Sequence, residues 1–81
     1  MKALKDLKVG EQATVMEIQT EGSMRRRFID IGLIESSIVK CVGVSPLGNP
    51  KAYLIKGSVI AIRNNDCANI LVSTEVNSDE A

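Results

Sequence analysis

The 81-residue sequence contains no histidine and no tryptophan, and its aromatic residues are one phenylalanine and one tyrosine. The missing imidazole removes the commonest general base and the commonest transition-metal ligand. The scarcity of aromatics restricts binding as well. RNA-binding barrels stack bases on aromatic rings, and readers of PxxP ligands need an aromatic-lined groove. Phe28 and Tyr53 alone build neither. Net charge is zero, with ten Lys and Arg against ten Asp and Glu. A nucleic-acid binder usually shows a basic domain or stripe, so no nucleic-acid partner is expected. The two cysteines, Cys41 and Cys67, lie too far apart for a CxxC pair and read as small buried hydrophobes.

Other absences concern chemistry and membranes. There is no Ser/His/Asp set, no Cys/His pair and no phosphate-cradling glycine loop. The carboxylates Asp6, Glu11, Glu17, Asp30, Glu35 and Asp66 are scattered, and no DxDxDG-type loop gathers them. The expectation is a protein that is not an enzyme, with no catalytic, cofactor-binding or metal-ligating residues. No apolar run approaches the ~18 residues of a membrane span. The opening MKALKDLKVGEQ has no signal-peptide h-region, so a cytoplasmic location is expected.

What is present is a succession of short strands broken by turn chemistry. Leu4 and Leu7 precede a tight turn at Val9-Gly10-Glu11. Residues 13–18, ATVMEI, read as a strand; Val15 and Ile18 lie three apart, which predicts a bulge or bend near Glu17. A short helix follows, with Ser23 as its N-cap and Met24, Phe28 and Ile31 on one face. Gly32 is placed to stop it, and Phe28 to anchor it. Residues 37–44 are a second strand; 45–50, SPLGNP, form a turn; 52–63 are two strands around Lys56-Gly57-Ser58. Residues 64–68 read as a helical turn or tight loop, 69–74 as the last strand, and 76–81 as a disordered acidic tail beyond a single domain of 1–75. Five strands and one short α-helix make a mainly β protein, a small partly open barrel. SH3-like and OB barrels both fit, and the long SPLGNP hairpin favours the SH3-like form.

The stretch Arg25-Arg26-Arg27 has three readings. Successive helical residues are ~100° apart, so the arginines fan out and form no flat basic face. They are a solvated face with ion pairs to Asp30, a patch meeting acidic groups on another protein, or contacts to phosphate. If Val39, Cys41, Tyr53, Ile55, Ile60, Ile62, Ile70 and Val72 point inward, then Ile38, Val42, Leu54, Val59 and Leu71 point outward. An apolar outer strip marks a docking surface where nothing else covers it. Leu47, in the hairpin turn, is a further contact candidate. The expected partner-binding residues are Met24, Arg25, Arg26, Arg27, Leu47 and Leu54.

The string RRRFIDIGL, followed by SPLGNPKAYLIKGSVIAIRNNDCANILV, resembles the ferrous-iron-transport protein A (FeoA) family. That family's pattern runs R-L-x-D-L-G-L, P-x-G-x-P, a hairpin ending I-A-L-R, an acidic-Ala turn and I-x-V. The counterparts are Arg27, Phe28, Asp30, Ile31, Gly32 and Leu33; Pro46, Gly48 and Pro50; Ile60 to Arg63; Asp66; Ile70 and Val72. Leu4, Leu7 and Gly10 match the family's opening L-x-x-L-x-x-G. Glu35-Ser36 replaces the usual Pro-Gly, so Ser36 is expected either to adopt a costlier conformation or to sit in a different turn. Phe28 stands where Leu is common, and Cys67 where Ala is. The resemblance implies an SH3-like barrel that serves bacterial ferrous iron uptake without catalysis. It would dock on, and regulate, a FeoB-type membrane transporter through that partner's cytosolic GTP-hydrolysing domain, and be recruited to the membrane's inner face. The same module resembles the C-terminal barrel of iron-dependent repressors, which leaves a metal-responsive regulatory role as an alternative. A small RNA-binding barrel is a third reading. Weak self-association through the apolar outer face is also compatible.

Overall fold

Strand β1 (Lys2–Ala3) leads through a 3-10 turn (Leu4–Asp6) and a loop into β2 (Gln12–Ile18). Helix α1 (Ser23–Asp30) is followed by β3 (Ile38–Val44), β4 (Lys51–Ile55) and β5 (Ser58–Ile62). A single helical turn, α2 (Asn64–Cys67), precedes β6 (Ile70–Ser73). The structure, a computed structural model, describes residues 2–74. The acidic segment expected at 76–81 lies outside them. One antiparallel sheet contains all six strands in the order β1-β6-β2-β3-β4-β5 and does not close, so the mainly β, partly open architecture is as expected. The sequence reading lacked β1. Two residues carry no visible alternation, and Lys2 and Ala3 become strand only by pairing with Val72 and Leu71 of β6.

The pleat explains which side chains are inside. Seven of the eight expected inward residues are buried: Val39, Cys41, Tyr53, Ile55, Ile62, Ile70 and Val72. Ile60, on the edge strand β5, is only partly covered. The bulge expected near Glu17 is real. Val15 pairs with Val72 and Glu17 with Leu71, so Met16 has no partner across the ladder. That extra residue turns both Val15 and Ile18 into the core, and Met16 out to solvent. A second register shift, between Cys41 and Gly43, does the same at Val42. The β4–β5 connection is a two-residue turn with positive φ at Lys56 (52°) and Gly57 (83°). Both angles match the type I′ geometry that follows strand twist.

The start of α1 corrects the sequence reading. Ser23 is not the N-cap. That place is taken by Gly22, with φ 77° and ψ −148°, a region only glycine enters freely. At the other end, Leu33 N–H donates to Phe28 O (2.8 Å) and Gly32 N–H to Ile29 O (3.0 Å). This is a Schellman stop with Gly32 at φ 90°. Phe28 and Leu33, the apolar pair such a stop brings together, are 2 % and 0 % exposed. Ser36 adopts the costlier conformation, φ 75°. Beside it, buried Ser37 donates its hydroxyl to Gly32 O (2.9 Å) and accepts from Ile34 N–H (3.0 Å). The loop after the helix is thus fixed from within.

Two substitutions test this frame by denaturant unfolding. Phe28→Ala should cost about 3–5 kcal/mol, the usual loss for a buried phenylalanine. Gly32→Ala should cost about 1–2 kcal/mol, because its φ excludes a Cβ without strain. A Cβ there would also lie 2.6 Å from Cγ of Lys56.

Candidate functional site: a groove between the helix and an open sheet edge

Strand β5 has a neighbour on one side only. On its other side α1 stands off, and a groove of about 150 Å³ separates them. Met24, Arg27, Phe28 and Ile31 form the helical wall; Ile60, Ala61, Ile62, Arg63 and Asp66 form the strand wall. Phe28 and Ile62 are buried beneath it, while Met24, Ile31 and Ile60 are half-covered. The floor is apolar and the rim is charged. Arg63 Nε pairs with Asp66 Oδ2 at 3.5 Å. The Arg27 side chain has no hydrogen bond or ion pair to any described residue.

The β4–β5 register decides which backbone groups face outward. Ile55 and Ser58 flank the two-residue turn, and Tyr53 pairs with Ile60 and Lys51 with Ile62. These are the hydrogen-bonded pairs of the ladder, so the alternation leaves the N–H and C=O of Val59 and Ala61 pointing to the open edge.

The arginine triplet divides as the helical fan requires. Arg25 turns inward, donating to Ile18 O (2.9 Å) and pairing with Glu35 (3.6 Å). Arg26 points to solvent and Arg27 lines the groove. Neither pairs with Asp30, the carboxylate the sequence offered. Leu47 is 93 % exposed on a stapled tip. Ser45 Oγ donates to Asn49 O (2.7 Å) and accepts from Asn49 N–H (3.1 Å). Asn64 Nδ2 donates to Gly48 O (3.2 Å), which sets the tip beside the Arg63 end of the groove. Leu54 lies on the outer face of the sheet, between Lys40 and Val59. Ile38, Val42, Leu54 and Val59 are exposed there as expected, whereas Leu71 is half-buried. The six expected contact residues therefore do not form one patch. Met24 and Arg27 meet in the groove, Leu47 stands at its end, Leu54 lies across β5, and Arg25 and Arg26 face elsewhere. Sequence reasoning missed Arg63 and Asp66 as site residues; their spacing of three across a helical turn was the available signal.

The remaining titratable groups are structural. Cys41 and Cys67 are free and buried. Burial pushes the Cys67 thiol up to about 11, against a weaker opposing bond from Tyr53. Burial also raises the Tyr53 phenol far above its usual range. Its hydroxyl donates to Leu4 O (3.3 Å). Among the described residues no three Cys, Asp or Glu side chains converge on a point that could hold a metal ion. No helix among them is long and apolar enough to cross a membrane.

The FeoA domain model matches residues 2–74. The chain belongs to the FeoA family. It is 28 % identical to a Porphyromonas gingivalis protein in which Fe(2+) transport protein A is fused to the Fe(2+) transporter FeoB. That match covers 96 % of this chain, which spans about a tenth of the relative's length. The solution structure of a Chlorobium tepidum FeoA protein superposes with a TM-score of 0.87 at 30 % identity, over 95 % of this chain and 73 % of the other. The Stenotrophomonas maltophilia FeoA, a prokaryotic SH3 domain protein crystallised with zinc, gives 0.78 at 21 % identity, covering 90 % and 91 %. These FeoA structures make the fold SH3-like. The Thermoplasma acidophilum iron-dependent repressor shares the fold alone, with a TM-score of 0.79 at 20 % identity over 90 % of this chain and 33 % of the repressor.

Two measurements follow from the buried and capped groups. Neither thiol should react with an alkylating reagent at neutral pH in the folded protein, and both should react in denaturant, as mass spectrometry will read. The Lys8 N–H holds the Glu11 carboxylate below its ordinary 4.5, aided by Lys2; Glu35 is lowered by its own N–H and by Arg25. Carboxylates depressed by folding stabilise above the unfolded value and lose that contribution as pH falls through the folded one. Stability should decline below about pH 4.5, and Glu11→Gln should flatten that decline.

Proposed function

We propose that this FeoA domain is a non-catalytic accessory of bacterial ferrous iron uptake that docks on the cytosolic part of a FeoB-type transporter and regulates it. The family is one of ferrous iron transport, and a relative carries the two components in a single chain. That fusion is the observation that carries the reading, because it holds the A and B components at high effective concentration. The molecular surface supports it. Exposed apolar side chains at Leu47, Leu54 and Val59 flank a groove whose rim carries Arg27, a cation that no described residue pairs. Such a surface is suited to contact with protein. Recruitment by the transporter would bring a domain without a spanning helix to the inner face of the membrane.

The likeness of the repressor barrel favours one second reading, a metal-responsive module. It requires a cation site, and ferrous iron titrated into the protein alone decides between the two. We expect no saturable micromolar binding; a stoichiometric site would favour the second reading.

Docking is measured by titrating the transporter's isolated cytosolic domain with the labelled chain. Leu47→Asp and Val59→Asp should each weaken binding by about tenfold if both side chains are covered on association. Affinity unchanged in both variants would move the contact surface elsewhere. GTP hydrolysis by the partner, followed in the same titration, gives the sign of regulation.

A further inference from the structure

From the groove geometry we infer that the partner is captured as an added β-strand. An extended segment of its chain pairs with the open edge of β5 and sets a carboxylate against Arg27. This rests on the docking reading above and specifies how the docking is made.

Three observations converge. First, Val59 and Ala61 present their backbone N–H and C=O to the open side, at the spacing of alternate residues, which is the template a new strand requires. Second, the apolar-floored groove lies along that edge, with Ile60, Ala61 and Ile62 of β5 as one of its walls. A segment paired with β5 would point every second side chain down onto Met24, Phe28 and Ile31, and the others up beside Val59 on the outer face. The groove and the outer apolar strip, separate in the free chain, then become the two faces of one added strand. Third, the charge on the rim selects the occupant. Arg63 is already paired with Asp66, whereas the Arg27 side chain pairs with no described residue. A segment with apolar residues in alternation and an Asp or Glu at the Arg27 position satisfies both floor and rim. A second copy would have to offer a carboxylate at the Arg27 position, and β5 itself, Ser58-Val59-Ile60-Ala61-Ile62, carries none.

The experiment uses the full chain and short overlapping peptides that tile the cytosolic part of the transporter. The variants are Ala61→Pro and Arg27→Glu. Proline at 61 removes an outward N–H and leaves the β4–β5 ladder intact; thermal unfolding confirms that it folds. The expected result is one acidic, alternating peptide that binds, competes with the whole cytosolic domain and protects the Val59 and Ala61 amides from hydrogen exchange. Each variant should weaken it by about tenfold or more, the loss of one charge-assisted or backbone bond. Methylating the peptide's backbone nitrogens should abolish binding, and Arg27→Lys should retain most of it. If the cytosolic domain binds Ala61→Pro as tightly as the wild type, strand addition is overturned and docking stands. If the domain does not bind at all, the docking reading falls. Sedimentation as a dimer that Ala61→Pro dissociates would assign the edge to a second copy and overturn the proposal.

Discussion

The structure depends on a clamp between β4 and the N-terminal turn. Leu4 and Leu7 are both fully buried, yet they sit on a 3-10 turn and a loop with few backbone bonds of their own. Strand β4 supplies what they lack. The Tyr53 hydroxyl reaches Leu4 O, and the Lys51 ammonium donates to the carbonyls of Lys5 and Leu7. These bonds join residues more than forty positions apart, and they satisfy buried or half-buried groups that would otherwise cost about 1–3 kcal/mol each. An unclosed sheet in a chain this small has little core to lose. The leucines plug one end of it, and β4 holds the plug in place. Strand β4 also pairs with β5, so the groove rests on the same strand that fastens the N-terminus.

Much of the fold was legible because local chemistry and tertiary demand agree. The inward set on β3, β4 and β6 follows alternation. The bulge in β2 shows in the three-residue spacing of Val15 and Ile18. The helix stop shows in Gly32, and the hairpin in Lys56-Gly57. The misses share a cause. β1 exists only because β6 offers it a ladder, and nothing in Lys2-Ala3 encodes that. Ser23 has a capping side chain, but the chain enters the helix through a backbone angle that only Gly22 tolerates, and the angle prevails over the hydroxyl.

The site was legible in its residues and not in its arrangement. Three consecutive arginines cannot share a face, and the sequence showed this. It could not show that Arg25 would be held by Ile18 O and Glu35 while Arg27 overlooks an open strand. Several of the residues that carry the FeoA resemblance, Arg27, Phe28 and Ile31 with Ile60 to Arg63 and Asp66, line one groove. Read along the chain they are two motifs some thirty residues apart. Only the fold makes them opposite walls.

The Leu47 side chain carries a further consequence. Its backbone is tied at Ser45, Gly48 and Asn49, so it cannot fold back to shelter against the barrel. A leucine held in water in this way keeps roughly 1.5–3 kcal/mol of dehydration in reserve. Little conformational entropy would be lost when it is covered, because the tip is already rigid. The domain thus carries a standing adhesive point, and discrimination among what touches it is left to the charged and hydrogen-bonding groups nearby.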